Sequence, residues 1–161
     1  FYRIDGGSTQ NKGVVPDIAF PTAVPHEETG ESQEPNALPW DKIPSASYQK
    51  LGDFSAIVPK LESDYESRTA KDPEFAYLEQ DIALYKKEKD NKSLSLNEAE
   101  RRAEQDKQDA LALQRTNERL KRMGKPQVKS LDALPADYEA PDEFLKEAGN
   151  ITAEMAGLVK K

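Results

Sequence analysis

The sequence predicts a mainly α-helical protein that begins with an extended strand-and-turn segment and continues into an irregular acidic strap. After residue 54, apolar residues recur at helical spacing and follow patterns that start helices. Between residues 21 and 44, five prolines prevent a helix. Charged residues make up 33% of the chain and apolar residues 36%, a balance that predicts a thin hydrophobic core.

The first 24 residues are predicted to be extended chain broken by turns. Tyr2 and Ile4 alternate with neighbours before Gly6-Gly7, a pair that adopts positive φ easily and predicts a tight turn. Pro16 has no N–H to donate, which predicts a strand end or a sheet edge. Because an isolated hairpin is marginal in water, we expect this segment to belong to a larger sheet.

The strap, residues 25–53, is predicted to be an irregular, acidic linker along a surface. No Lys or Arg occurs between Gly13 and Asp41, and the glutamates in this stretch keep it solvated. Trp40 is large enough to anchor the strap in a pocket.

Residues 54–161 are predicted to form a helical domain. One helix begins near Pro59, and a second begins at Pro73 with Asp72 as its cap. We expect the apolar stripe of the second helix to lie in the core rather than in a ligand groove; it contains Phe75, Leu78, Ile82 and Tyr85.

A third, long helix is predicted over residues 96–123. Ser95 and Glu98 form a capping-box pattern at its start, and Gly124 with Pro126 marks its end. Its narrow apolar stripe consists of Leu96, Ala99, Ala103, Ala110, Leu113, Leu120 and Met123.

The remaining residues are predicted to form a connector over 125–141 and a last helix over about 142–160. Val128, Leu131, Leu134 and Tyr138 are candidate anchors of the connector. The apolar residues of the last helix are Phe144, Leu145, Ala148, Ile151, Met155 and Leu158.

Composition excludes several classes of function. Thirty acidic residues against 23 Lys and Arg give a net charge of −7, which disfavours nucleic acid as a partner. No apolar run approaches the roughly 18 residues that cross a bilayer. Without cysteine, the chain has neither disulfides nor thiolate metal sites.

Candidate functional residues are few, and each has a simpler structural interpretation. His26 lies among Pro and Glu, where a solvated loop histidine is favoured over a catalytic one. The acidic run 27–34 is favoured as a solvated segment over a weak calcium site. Basic residues from Arg115 to Lys125 complement the helix dipole, which is favoured over contact with an acidic partner. We therefore predict no catalytic, cofactor-binding or metal-binding residue.

The N-terminal pattern resembles a known family. Tyr2, Gly7-Ser8-Thr9-Gln10, Gly13-Val14 and Pro16-Asp17 are similar to the closing part of the catalytic core in carboxyl-terminal-processing proteases of the S41 type. Ile4 and Asp5 stand where the commonest form has Pro, which indicates the tail-specific subgroup of Gram-negative bacteria. Further segments support the resemblance: ETGE, NALPWDKI, KDPEF, SLNE, NERLKRMGKP and LPADYEAPD.

The resemblance implies that this chain is the C-terminal portion of a larger periplasmic serine endopeptidase. Its implied partners are the upstream protease core and PDZ domain, substrates with apolar C-termini and, in some bacteria, an envelope lipoprotein adaptor. In the family the catalytic Ser–Lys dyad lies upstream of the opening motif. Neither Ser8 nor any lysine here inherits those roles, and we expect no peptidase activity from this chain.

Two roles fit this resemblance equally: the helical domain supports the protease core, or it docks substrates or an adaptor. A free-standing helical scaffold or adaptor without enzymatic activity is the alternative. Residues 1–24 would be the terminal strand and turn of the protease core. Separated from that core, we expect them to be mobile, or to pair with another copy or with helices of this chain.

Overall fold

In a computed structural model that describes residues 1–24 and 26–159, the protein is mainly helical, as predicted. The side chains of residues 26 and 27 lie outside that description. The α-helices are α1 (His26–Thr29), α2 (Val58–Thr69), α3 (Pro73–Asp90), α4 (Glu98–Arg122) and α5 (Glu143–Val159). Short 3-10 helices occupy Glu31–Gln33 and Leu131–Ala133.

The chain forms two compact units. The first contains the chain up to Asp90 together with the segment that begins at Asp142, and the second is Asn91–Pro141. Helices α2, α3 and α5 therefore belong to the first unit, and α4 belongs to the second. The first unit is built from two stretches of sequence that the second unit separates.

Helices α2 and α3 begin where their prolines predict. Pro59 lies in the first turn of α2, where its missing N–H leaves no helical hydrogen bond unmade. Pro73 is the first residue of α3, and the Asp72 carboxylate accepts a hydrogen bond of 2.9 Å from the backbone N–H of Glu74. That bond satisfies one of the free N–H groups at the helix start.

The predicted capping box at the start of α4 is wrong. Asn97 is the cap: its side chain accepts hydrogen bonds from the backbone N–H groups of Ala99 and Glu100, at 2.9 and 3.3 Å. The Ser95 hydroxyl instead donates to the Glu100 carboxylate at 2.5 Å. Asn and Ser cap helices about equally well, so the pattern alone does not select between them.

The predicted end of α4 is confirmed. Gly124 has a φ of 68°. The backbone N–H of Lys125 donates to the carbonyl of Leu120 at 2.8 Å, and that of Gly124 donates to Lys121 at 3.1 Å. This pair of bonds is the Schellman motif, which favours glycine at the left-handed position.

Aromatic rings from four stretches of sequence form the centre of the first unit. Phe20 stacks on Tyr65 of α2 and on Phe144 of α5, with ring centroids 5.3 and 5.4 Å apart. Phe75 of α3 meets Tyr65 and Phe144 edge to face, at 6.1 and 6.3 Å. Leu61, Tyr65 and Phe75 are buried. Residue 20 thus ties the N-terminal segment to the helices.

The predicted apolar stripes are only partly buried. In α3, Phe75 is buried, Leu78 and Ile82 are half-buried, and Tyr85 is exposed. In α4 the stripe residues from 96 to 110 are exposed, and Leu120 is buried. In α5, Phe144 and Leu145 are exposed, whereas Ile151 is half-buried. Helical spacing defines a face, but burial needs a neighbouring element over its whole length.

Candidate functional site

The terminal hairpin, residues 1–9, closes through a glycine turn. The N–H of Arg3 donates to Gly7 at 2.9 Å, and the N–H of Gly6 donates to Arg3 at 2.9 Å. Gly6 has a φ of 83°, and a Cβ built there would lie 2.0 Å from the carbonyl oxygen of Ile43. Both the turn and the close approach of Ile43 therefore require glycine, which confirms the predicted turn.

The strap supplies the backbone partner of the terminal hairpin. An antiparallel β-bridge joins Gly7 to Lys42. Three backbone hydrogen bonds of 2.9–3.1 Å extend it, from Ser8 to Asp41, from Ile43 to Gly6 and from Ala46 to Ile4. The hairpin pairs with the strap rather than with helices of this chain. The expectations that residues 1–24 are mobile or pair with another copy stay predictions. Pro39 and Pro44 keep this part of the strap extended, so the N–H and C=O groups of the residues between them are available to the hairpin. The predicted absence of a helix between residues 21 and 44 is wrong, because α1 and the 3-10 helix Glu31–Gln33 lie there.

Trp40 anchors the strap, although on a surface rather than in the predicted pocket. Its indole N–H donates to the carbonyl of Ser8 at 2.8 Å. The ammonium of Lys12 lies 4.2 Å from the centre of the indole ring, a cation–π contact. The side chain remains 39% exposed. Hydrogen bond and cation together fix its orientation on the hairpin.

Acidic side chains of the strap make specific contacts. Asp41 accepts a hydrogen bond of 2.7 Å from the hydroxyl of Tyr2, and this bond raises the pKa of the Tyr2 phenol. Glu31 accepts from the side chain of Gln10 and from the backbone N–H of Asn11. Glu28 pairs with Lys89 of α3. Part of the predicted solvated run thus binds other segments of the first unit.

Ser8, the serine of the opening motif, has a local structural role. It is buried, and its hydroxyl oxygen accepts a hydrogen bond of 2.9 Å from the backbone N–H of Gln10. This is a side-chain turn of the kind that Ser forms with the residue two positions on. The side chain of His26 lies outside the described residues, so its interpretation stays a prediction. In the part of the chain that is described, no group of His, Asp and Glu is arranged to hold a metal ion.

A cluster of charged side chains joins α2 to α5, and it was not predicted from the sequence. Arg68 donates to one carboxylate oxygen of Glu147 from Nε at 2.8 Å and from Nη2 at 2.5 Å. Nη1 of Arg68 binds Glu154, and the amide of Asn150 donates to the other oxygen of Glu147 at 2.9 Å. Hydrogen bonding to Glu147 raises the pKa of Arg68. The Glu147 side chain is only 5% exposed, so these donors replace its water.

A signal for this cluster exists in the sequence. Glu147 lies three residues after Phe144 and four before Ile151, both in the predicted apolar stripe of the last helix. An acid at that position is on the buried face and needs a cationic partner. Identifying the partner as Arg68 requires the contact between α2 and α5, which spacing does not give.

Exposed apolar side chains are concentrated near the terminal hairpin and strap. Among the described residues, 22 large apolar side chains have high exposure, and twelve of them lie in residues 1–54. We call this set the N-terminal apolar surface; it consists of Phe1, Tyr2, Ile4, Val14, Val15, Val24, Leu38, Trp40, Ile43, Tyr48, Leu51 and Phe54. Single exposed apolar residues are ordinary, but residues 1–54 hold more than half of those described within one third of the sequence.

Basic residues at the end of α4 differ in their exposure to solvent. Arg115 is buried, whereas Lys121 and Lys125 are exposed. Arg119, Lys121 and Arg122 occupy the last turn, where cations stabilise the negative helix end. Among the described helices, none has the length and apolarity that crossing a membrane requires.

The chain matches a family model described as the C-terminal domain of tail specific protease, over residues 24–157. It is also 52% identical over 158 residues to the Tail-specific protease of Haemophilus influenzae. That match covers 96% of this chain and 23% of the relative, so the chain spans about a quarter of the relative's length. With most of its residues matched by the family model, the chain belongs to the family of C-terminal domains of tail-specific proteases.

Proposed function

We propose that this chain is the non-catalytic C-terminal domain of a periplasmic serine endopeptidase of the S41 type, and that it supports the protease core. The family model describes a C-terminal domain, and the relative is named for its protease activity. The S41 assignment, the periplasmic location and the Ser–Lys dyad rest on the resemblance of the opening motif.

The N-terminal apolar surface is the observation that favours support of the core over docking. Most of its residues lie in the terminal hairpin and the strap, and residues 2–17 carry the motif that resembles the end of the protease core. Leu38 is 67% exposed and Leu51 is 100% exposed in this chain. Burying such a leucine stabilises a protein by roughly 1.5–3 kcal/mol. We assign the upstream protease core as the structure that covers this surface.

Substrates and the adaptor belong to the whole enzyme in this proposal. Proteins with apolar C-termini are the substrate class, and the PDZ domain of the parent enzyme is the expected recognition element. An envelope lipoprotein is the expected adaptor in some bacteria. These partners rest on the resemblance, and the scaffold alternative would have none of them.

A matched pair of leucines tests the supporting role. Leu38 and Leu94 are each 67% exposed in this chain, but only Leu38 lies in the N-terminal apolar surface. We expect Leu38→Ser to lower the unfolding free energy of the full-length enzyme by about 2 kcal/mol and to leave the isolated 161-residue chain unchanged. Leu94→Ser should change neither. Thermal unfolding of both proteins measures this, and equal effects of the two substitutions in the enzyme would contradict the supporting role.

Incubation with a peptide that ends in apolar residues tests the non-catalytic assignment. We expect the full-length enzyme to cleave the peptide and the isolated chain to leave it intact. Cleavage by the isolated chain that Ser8→Ala abolishes would overturn the assignment.

A further inference from the structure

The first turns of α4 present a coiled-coil face that nothing in the described second unit covers. Positions a and d of a heptad repeat run along α4 from Ala99 to Leu120; they are Ala99, Ala103, Asp106, Ala110, Leu113, Asn117 and Leu120. In the later half Leu120 is buried, and Asn117 exchanges hydrogen bonds of 2.8 and 2.9 Å with the backbone of Val128. In the earlier half every one of these positions up to residue 110 is exposed. One continuous face is thus half covered and half open.

We propose that the open half of this face binds the same face of a second copy of the chain, as an antiparallel coiled coil. In an antiparallel pair, a positions of one helix meet d positions of the other. The register that centres the open half pairs Ala103 with the second copy's residue 106, and Ala99 with its residue 110. Leu96, just before the cap, then meets residue 113 of the second copy. Alanine layers allow the two backbones to approach closely, as small residues do between helices.

The flanking charges select this register and this orientation. Position g is occupied by Arg102 and Asp109, and position e by Glu100 and Lys107. In the proposed register, g positions face g positions and e positions face e positions, so Arg102 of each copy meets residue 109 of the other. Glu100 likewise meets residue 107. Two-fold symmetry repeats both pairs, which gives four contacts, all between opposite charges.

The competing arrangements bring like charges together. If the antiparallel register moves by one heptad towards the N-terminus, residues 102 and 100 each face the same residue of the second copy. If it moves one heptad the other way, residues 107 and 109 each face the same residue of the second copy. A parallel pair in register places Arg102 opposite a lysine, residue 107. The pattern therefore disfavours each neighbouring alternative as well as favouring one.

The charged groups are free to change partners on association. Within one chain Arg102 binds Glu98 at 2.7 Å, and Lys107 lies 3.4 Å from Glu104. Gln105 donates to Asp109 at 2.8 Å, and Ser95 donates to Glu100. The Arg102 and Lys107 side chains are 73% and 74% exposed in these pairs. Exposed pairs of this kind contribute little to stability, so exchanging them costs little.

Asp106 limits the affinity of the pair. It is the one charged residue among the open a and d positions. A polar residue at a core position of a coiled coil fixes register at a cost in stability. We expect a reversible dimer at micromolar concentrations, and Asp106→Ala should bind at least about tenfold more tightly because the carboxylate no longer loses water.

Sedimentation equilibrium of the purified chain tests the proposal. The apparent mass should rise from 18.0 kDa towards twice that value as concentration increases. Arg102→Asp and Asp109→Arg should each weaken association at least about tenfold, because each puts like charges in two of the four contacts. The double variant, which restores opposite charges, should associate within about threefold of the original chain.

Mixing the two single variants provides a control that folding defects do not imitate. Alone, each variant places like charges face to face, whereas a mixed pair has opposite charges at both contacts. We expect the mixture to associate and circular dichroism to show unchanged helix content in each variant. A chain that stays monomeric at high concentration, or a dimer that neither charge reversal weakens, would overturn the proposal.

Discussion

Glu147 illustrates how one residue can link distant parts of a chain. Its carboxylate is almost without solvent, and it receives hydrogen bonds from Arg68, 79 positions earlier, and from Asn150. Arg68 also binds Glu154, so one guanidinium donates hydrogen bonds to two carboxylates of α5. The planar, multiply donating guanidinium suits this arrangement in a way that a lysine ammonium does not.

Removing the arginine should destabilise the first unit. We expect Arg68→Ala to lower the free energy of unfolding by about 2–3 kcal/mol, because Glu147 would keep its buried charge without a cation. Lys60→Ala removes the exposed i,i+4 pair with Asp64 at 2.6 Å and should cost less than about 0.5 kcal/mol. Urea unfolding followed by circular dichroism compares the two. Equal losses would show that Glu147 does not depend on Arg68.

Tyr65 should make stability depend on alkaline pH. Burial raises its pKa above the ordinary value of 10.0, and the carboxylates of Glu147, Glu66 and Glu79 raise it further. Its contribution is fully present below the pKa of the unfolded chain, and it is lost as pH rises through the higher folded pKa.

Tyr65→Phe isolates that contribution from the other groups that titrate at high pH. We expect the substituted chain to lose less unfolding free energy than the original between pH 8 and pH 11, the range that spans the ordinary tyrosine pKa of about 10. Urea unfolding at both pH values measures the difference. An identical loss in both chains would mean that the Tyr65 hydroxyl is equally acidic when folded and unfolded.

At the scale of elements, the sequence predicted where helices begin and end, but it did not predict which parts of their apolar faces are buried. Pro59, Pro73 and Gly124 mark helix boundaries because their backbone restrictions act within one turn. The choice of Asn97 over Ser95 as cap was not predictable, since both side chains accept from free N–H groups. The burial of each apolar stripe depends on segments that are distant in sequence. Spacing alone therefore predicted the apolar face of each helix correctly but predicted too many buried residues.

Two glycines in helical surroundings should respond oppositely to the same substitution. Gly124 has a φ of 68° at the end of α4, so Gly124→Ala should destabilise the chain by about 1 kcal/mol. Gly149 lies inside α5, where an added Cβ has open space, so Gly149→Ala should stabilise by about 0.5–1 kcal/mol. Thermal unfolding of the two variants checks the sign. A gain from Gly124→Ala would contradict the left-handed end of α4.

At the scale of the whole molecule, chain order and spatial grouping differ. Helix α5 follows the second unit in sequence, yet its Phe144 stacks on Phe20 and its Glu147 binds Arg68 in the first unit. The sequence predicted the existence of the last helix and placed it in one helical domain with α2, α3 and α4. The individual contacts between α5 and α2 join residues about 80 positions apart, which periodicity does not encode.

Cutting the chain between α3 and α4 tests this grouping. Residues 91–94 are exposed, lie outside helices and precede the Asn97 cap of α4, so the recognition sequence of a site-specific endopeptidase can be inserted there. After cleavage we expect the two pieces to elute together in size-exclusion chromatography, because α5 of the second piece remains bound to α2 of the first. The same cut in a chain with Arg68→Ala and Phe144→Ala should release the pieces, since both the ion pair and the ring stack are gone. Separation of the unsubstituted pieces under native conditions would show that covalent connection, rather than these contacts, holds α5 in the first unit.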